Sequence, residues 1–231
     1  MLAHHVDSAW QADLALVTGD VVQDDTREAY EHFCRLLSQL RLPVYCLPGN
    51  HDVRPLMREV LSRHAFGYCE TIDSGSWRVA CIDSCETGAA AGCVSPDELR
   101  RLASLLREAP AEHALVALHH PPVPVGTAWL DDVGLQNGEE FLATVTVCER
   151  VRVALFGHVH QAFDARRESL RILGTPSTCR QFAVGSDTFA VDDRPPAYRR
   201  LTLQPDGRVT TSVVWVDDWV DDTAAGGAQA P

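Results

Sequence analysis

The chain has 231 residues, 45% hydrophobic and 23% charged, which suits one large soluble domain, and no apolar run nears the ~18–20 residues of a membrane-spanning helix. Its formal net charge of −12 repels phosphate polyanions, so general nucleic-acid binding is disfavoured. All 20 basic residues are arginine, which excludes Schiff-base lysine chemistry and any Walker-type phosphate loop.

In chain order, Asp13 to Thr18 reads as a buried strand. Thr26 to Leu40 puts Tyr30, Phe33, Leu36, Leu37 and Leu40 on one helical stripe, and Pro43 to Leu47 is a second strand. Trp77 to Asp83 is a third strand. Ser95, Pro96 and Glu98 then open a helix to about Ala109 with a capping box. His113 to His119 is a strand, Asn137 to Glu140 opens a second boxed helix toward Arg150, and Val151 to Phe156 is a strand again. Strands separated by helices predict parallel pairing in an α/β domain. From Leu170 strand follows strand, and Tyr198 to Leu203 with Arg208 to Val216 flank a Pro-Asp-Gly turn, a terminal antiparallel hairpin. The expected organisation is one domain over 1–220, with an Ala/Gly-rich frayed tail at 221–231 behind an acidic end of Asp217, Asp218, Asp221 and Asp222. The eight cysteines include no CxxC pair and no signal peptide precedes them, so reduced thiols and a cytoplasmic location are expected.

Polar clusters follow these strands at their C-terminal ends: Thr18-Gly-Asp20, Pro48-Gly-Asn-His-Asp52, Leu118-His-His-Pro121 and Phe156-Gly-His-Val-His160, with Thr175 to Cys179 after a later strand. That edge of an open α/β sheet is where ligands bind, so distant segments can converge in one crevice. A carboxylate, an amide oxygen and imidazoles suit manganese, iron or zinc. A lone Gly-Asp is ordinarily a turn, and a His-His-Pro can be a buried strand end. All four in order, each just after an apolar run, point to metal-assisted hydrolysis.

Gly-Asp20, Gly-Asn-His-Asp52, His119-His-Pro and Gly-His158-Val-His160 together resemble the calcineurin-like metallophosphoesterases. Thr18 to Asp24, Ala29 to Phe33, Trp129-Leu-Asp131, and Thr175 to Cys179 with Gln181-Phe182 are similar to the bacterial 3′,5′-cyclic-AMP phosphodiesterases of that superfamily. The likeness runs from about Asp13 to Val216. It implies an αββα sandwich and two divalent ions, iron or manganese with zinc as an option. It also implies a cyclic nucleotide as the small-molecule partner, with no nucleic acid or membrane and an oligomeric state left open. By the resemblance, Asp20 bridges the metals, Asn50, His119 and His158 complete the second site, and His160 serves the first. His51 contacts the scissile phosphate and Asp52 positions it. Asn50, His51, His160, Trp129 and Asp131 face substrate. His119 rather than His120 aligns with the ligand.

The family's Asp-x-His motif and its strand are missing from Met1 to Ala12. The resemblance therefore leaves the first metal only Asp20 and His160. We expect a natural protein that starts upstream of Met1, against a true truncation with weakened activity. His4 and His5 are not expected to be ligands. Two other functions stay in play: hydrolysis of another phosphodiester or a phosphomonoester, and a single-metal nucleotide-binding protein with little turnover.

Overall fold

The computed structural model describes residues 2–217; the tail at 221–231 and most of the acidic end lie outside the described residues. A short helix α1 (Leu2–Val6) precedes β1 (Ala15–Val17), α2 (Arg27–Leu37), β2 (Val44–Cys46), α3 (Arg54–Arg63) and β3 (Gly67–Tyr68). The strands β1, β2 and β3 form a three-stranded parallel sheet in that order. A six-stranded sheet follows, built from β4 (Thr71–Ser74), β5 (Trp77–Cys81), β6 (His113–Leu118), β7 (Val151–Phe156), β8 (Phe163–Arg167) and β9 (Leu170–Gly174). Its order is β4-β5-β6-β7-β9-β8, with β5, β6 and β7 parallel, as predicted, β9 also parallel to β7, and β4 and β8 antiparallel at the edges. The helices α4 (Pro96–Arg107), α5 (Ala128–Asp131) and α6 (Gly138–Thr146) lie between these strands in sequence. Two antiparallel pairs close the fold, β10 (Gln181–Phe182) with β11 (Val191–Asp192), and β12 (Ala197–Leu203) with β13 (Val209–Trp215) around the predicted Pro205-Asp-Gly turn.

Alternation along the strands builds the layers. In β6, Leu115 and Ala117 join Val79, Cys81, Val153, Leu155 and Leu173 in a cluster with Leu16, Leu47, Leu201, Leu203 and Val209, so the two sheet layers face each other. The alternate residues Ala114, Val116 and Leu118 pack outward against Leu99, Leu102 and Leu106 of α4 and Phe141, Leu142 and Val145 of α6. Across the molecule, Tyr30 and Cys34 of α2 and Met57, Val60 and Leu61 of α3 cover Val44 and Cys46. The result is the expected αββα sandwich. Among the described residues the strand β1 pairs with β2 alone, and its three residues are half-buried.

Some local expectations change. The helix α3 and the short strands β3, β4 and β8 are additional to the predicted elements. Ser95 caps α4 by accepting from the Glu98 N–H at 3.2 Å. The Glu98 carboxylate, however, accepts from Asp83 N at 3.1 Å and pairs with Arg101, so the reciprocal half of that capping box is not formed. Asn137 makes no side-chain cap on α6 and instead bonds both backbone groups of Val94. All eight cysteines are free thiols. No helix among the described residues is long and apolar enough to cross a membrane.

Candidate metal centre

The ends of β1, β2, β6 and β7 meet at one rim. Gly157 sits so close to the end of β1 that a Cβ there would lie 2.5 Å from Thr18 O. Thr175, after β9, donates to Phe156 O at 3.1 Å and accepts from the Thr18 hydroxyl at 3.2 Å, which ties the two sheets together at this end. Asp20, His158 and His160 all have left-handed backbone, with φ of 52°, 61° and 49°. Non-glycine residues rarely adopt that conformation, and such strain collects at functional sites.

His119 is the hub. Its Nδ1 lies 2.7 Å from Thr18 O, and since a carbonyl can only accept, that nitrogen carries the proton. The Nε2 lone pair then faces Asp20 Oδ2 at 3.3 Å, Asn50 Oδ1 at 3.2 Å and His158 Nδ1 at 3.2 Å. An oxygen of a carboxylate, an amide oxygen and two imidazole nitrogens turned on one another repel unless a cation lies among them. These are hard and borderline donors of the kind divalent ions take. The His158 Nε2 is buried without a hydrogen-bond partner.

His120 belongs to the same knot of imidazoles, for nitrogens of His119, His120 and His158 all lie within 4.8 Å of one another. Both its nitrogens are already engaged, Nδ1 with the Ser84 hydroxyl at 2.9 Å and Nε2 with Ala90 O at 3.2 Å. Ser84 Oγ also accepts from the backbone N–H groups of His119 and His120. Of the two adjacent histidines, His119 thus offers a free lone pair and His120 braces the strand end.

The expected role of Asp52 is corrected. Its carboxylate accepts from Gly49 N at 2.9 Å, Val21 N at 3.2 Å and the Tyr30 hydroxyl at 3.0 Å, while Tyr30 Oη accepts from Val53 N at 2.9 Å. These bonds fasten the loops after β1 and β2 together and leave none for the His51 ring. Gln23 takes that place: its amide donates to His51 Nδ1 at 3.2 Å, leaving Nε2–H outward. The His51 N–H donates to Asp20 Oδ1 at 3.1 Å. The sequence offered no sign of Gln23 or Tyr30 in these roles beyond their place in segments that carried the resemblance.

His160 donates Nδ1–H to Arg180 O at 2.8 Å and stacks flat on Phe182, centroids 4.2 Å apart. Trp129, half-buried, packs edge-on against Phe182 at 5.0 Å. Asp131, which the resemblance sets facing substrate, is engaged by the backbone. Its carboxylate accepts from Val125 N at 2.6 Å and Gly126 N at 3.2 Å, closing its own loop. His4 and His5 lie on α1 with their rings edge-on to Tyr198.

The electrostatics suit a cation. Burial works against the Asp20 carboxylate, but the facing His119 imidazole and the His51 N–H hold it well below the usual range. Burial pushes His158 far down and His160 down, so both present neutral nitrogens. Burial also drives His120 down, to about 3. His119, opposed by burial, is raised by the Asp20 carboxylate, so without an ion its Nε2 takes up a proton more readily than a free imidazole, and a metal would replace that proton.

A model of the calcineurin-like phosphoesterase family matches residues 2–162. The 3′,5′-cyclic adenosine monophosphate phosphodiesterase CpdA of Pseudomonas aeruginosa is 41% identical over 209 residues, 90% of this chain and 76% of that protein. A 3′,5′-cyclic-nucleotide phosphodiesterase of Nostoc sp. is 38% identical over 203 residues, 88% of this chain and 76% of that one. In fold, a dimetal phosphatase from Danio rerio superposes with a TM-score of 0.57 at 14% identity, over 82% of this chain and 80% of its own.

Proposed function

The chain belongs to the calcineurin-like phosphoesterase family of hydrolases, and from that premise we propose that it is a metal-dependent phosphodiesterase opening 3′,5′-cyclic AMP to 5′-AMP. The crowding of three ligand atoms within 3.3 Å of His119 Nε2 carries the metal reading. The cyclic-nucleotide activities named for its relatives support the substrate class. Asp20, Asn50, His119 and His158 would hold one ion, and Asp20 with His160 would serve a second. Oxygen and imidazole donors without thiolate favour iron or manganese and admit zinc. When bound, such ions would draw charge from the phosphoryl oxygens and acidify a coordinated water.

The protein's own groups supply the rest. Water adds to phosphorus as the bond to the 3′ oxygen breaks, and the proton that the water loses ends on that oxygen. His51 can stabilise the charge on that oxygen with a hydrogen bond from Nε2–H, because Gln23 occupies Nδ1 and leaves the proton on Nε2. Asp52 and Tyr30 keep the loop that carries His51 fixed to the loop that carries Asp20.

Protein stripped with chelator and reloaded with manganese should release AMP from cyclic AMP. His119→Ala should abolish both metal retention and turnover. His51→Ala should keep the metal and lower kcat about 10²–10³-fold. Hydrolysis of bis-p-nitrophenyl phosphate without AMP release would move the assignment to another phosphoester. One observation favours a second reading, a single-metal nucleotide-binding protein: the close contacts converge on His119 Nε2, and none of them involves His160. One metal equivalent per chain without turnover supports it, and two equivalents overturn it.

A further inference from the structure

Six large apolar side chains are exposed among the described residues, and three of them, Val184 at 63%, Phe189 at 64% and Val191 at 42%, fall on the β10–β11 hairpin. This hairpin is anchored rather than loose. Ala183 N donates to Ala190 O at 2.9 Å, Gly185 N donates to the buried Thr127 hydroxyl at 3.0 Å, and Gln161 Nε2 reaches Ala183 O at 3.3 Å. Phe189 sits edge-on to Phe182 at 5.5 Å and to Trp129 at 5.4 Å, and Phe182 in turn stacks on His160. One aromatic surface therefore runs without a break from a candidate metal ligand to a ring standing in water.

A fixed, exposed aromatic patch beside a phosphate-binding site is suited to receive the flat face of a ligand. The geometry points to this hairpin as the seat of the substrate's nucleobase, with Phe189 as the stacking ring. The inference rests on the phosphodiesterase reading and adds which part of the substrate is recognised, and by what. The occupant is a heteroaromatic base because the patch continues from His160 in two ring-to-ring steps of 4.2 and 5.5 Å, a gap that the sugar of the same nucleotide bridges. Stacking of this kind contributes affinity for any base face. A cyclic nucleotide should accordingly be preferred over a phosphodiester lacking a base.

The test compares AMP, ribose 5-phosphate and adenosine by calorimetry on manganese-loaded protein, wild type against Phe189→Ala and Phe189→Tyr. AMP should bind about 5- to 100-fold more tightly than ribose 5-phosphate. Phe189→Ala should erase most of that advantage and weaken adenosine, Phe189→Tyr should keep it, and ribose 5-phosphate should bind all three alike. Equal binding of AMP and ribose 5-phosphate to wild type, or an advantage that survives Phe189→Ala, overturns the seat. So does a Phe189→Ala variant that changes only the mass seen by light scattering, since the patch would then join two copies of the chain. Wild type that binds neither phosphate refutes the metal-phosphate reading instead, and the seat then stands only if adenosine binds and Phe189→Ala weakens it.

Discussion

At the scale of single residues, Asp52 and Tyr30 show how a buried polar pair can organise a site without touching the chemistry. The Asp52 carboxyl is pushed up by burial, against the N–H groups of Gly49 and Val21 and the Tyr30 hydroxyl that favour its charge. The Tyr30 ring is fully buried, and its hydroxyl both donates to Asp52 and accepts from Val53 N. Tyr30→Phe removes one donor and one acceptor and leaves the Val53 N–H without its partner. A loss of about 1–3 kcal/mol is expected from an unsatisfied buried group, read from urea unfolding. Turnover and metal retention should both fall, because the loop that loosens carries His51 and the ligand Asn50. Full stability in Tyr30→Phe would mean that the network is not structural.

At the scale of elements, strand ends are pressed together where only small groups fit. Gly157 follows β7 and leaves room for Thr18 O, the same carbonyl that accepts from His119 Nδ1. Gly157→Ala should push the end of β1 away, costing about 1–3 kcal/mol for overpacking. Metal retention, measured by elemental analysis, should suffer more than secondary structure, measured by circular dichroism. The brace at the end of β6 gives a pH signature. His120 titrates near 3 in the folded chain because burial disfavours its charged form, and near 6.5 once unfolded. The unfolded chain therefore binds the extra proton between those values. The stabilising difference is complete above about pH 6.5 and is lost progressively as pH falls toward 3. The urea midpoint of metal-free protein should drop between pH 7.5 and 5, and His120→Gln should make that drop shallower. Equal slopes in both proteins would contradict the assignment.

For the whole molecule, the two sheet layers are joined at the rim by side chains whose lone pairs face one another, so a cation there should act as a cross-link. Divalent manganese at a hundred times its dissociation constant should add about 2.7 kcal/mol to unfolding free energy. Thermal melts with and without chelator should show this shift in wild type and not in His119→Ala. Much of this architecture was legible beforehand, because hydrophobic periodicity and the chemistry of turns are local properties. The strands from Ala15 to Phe156 that carry the site, their parallel pairing, the terminal hairpin and the four polar clusters at strand ends all follow from the order of residues. What faces what does not. His119 and His120 are neighbours at the bend after β6, with their rings edge to face at 4.9 Å, and only the packing of β6 among β1, β2 and β7 decides which of them meets Asp20 and Asn50. Asp52 finds its donors at Val21 and Tyr30, and Asp131 turns back to Val125 and Gly126. Such bonds depend on where separate segments come to rest, and a carboxylate goes to the donors that burial leaves unsatisfied. Composition and pattern thus determined the layers and the kinds of ligand. Tertiary packing alone decided which atom each ligand presents and which polar side chains serve as scaffold.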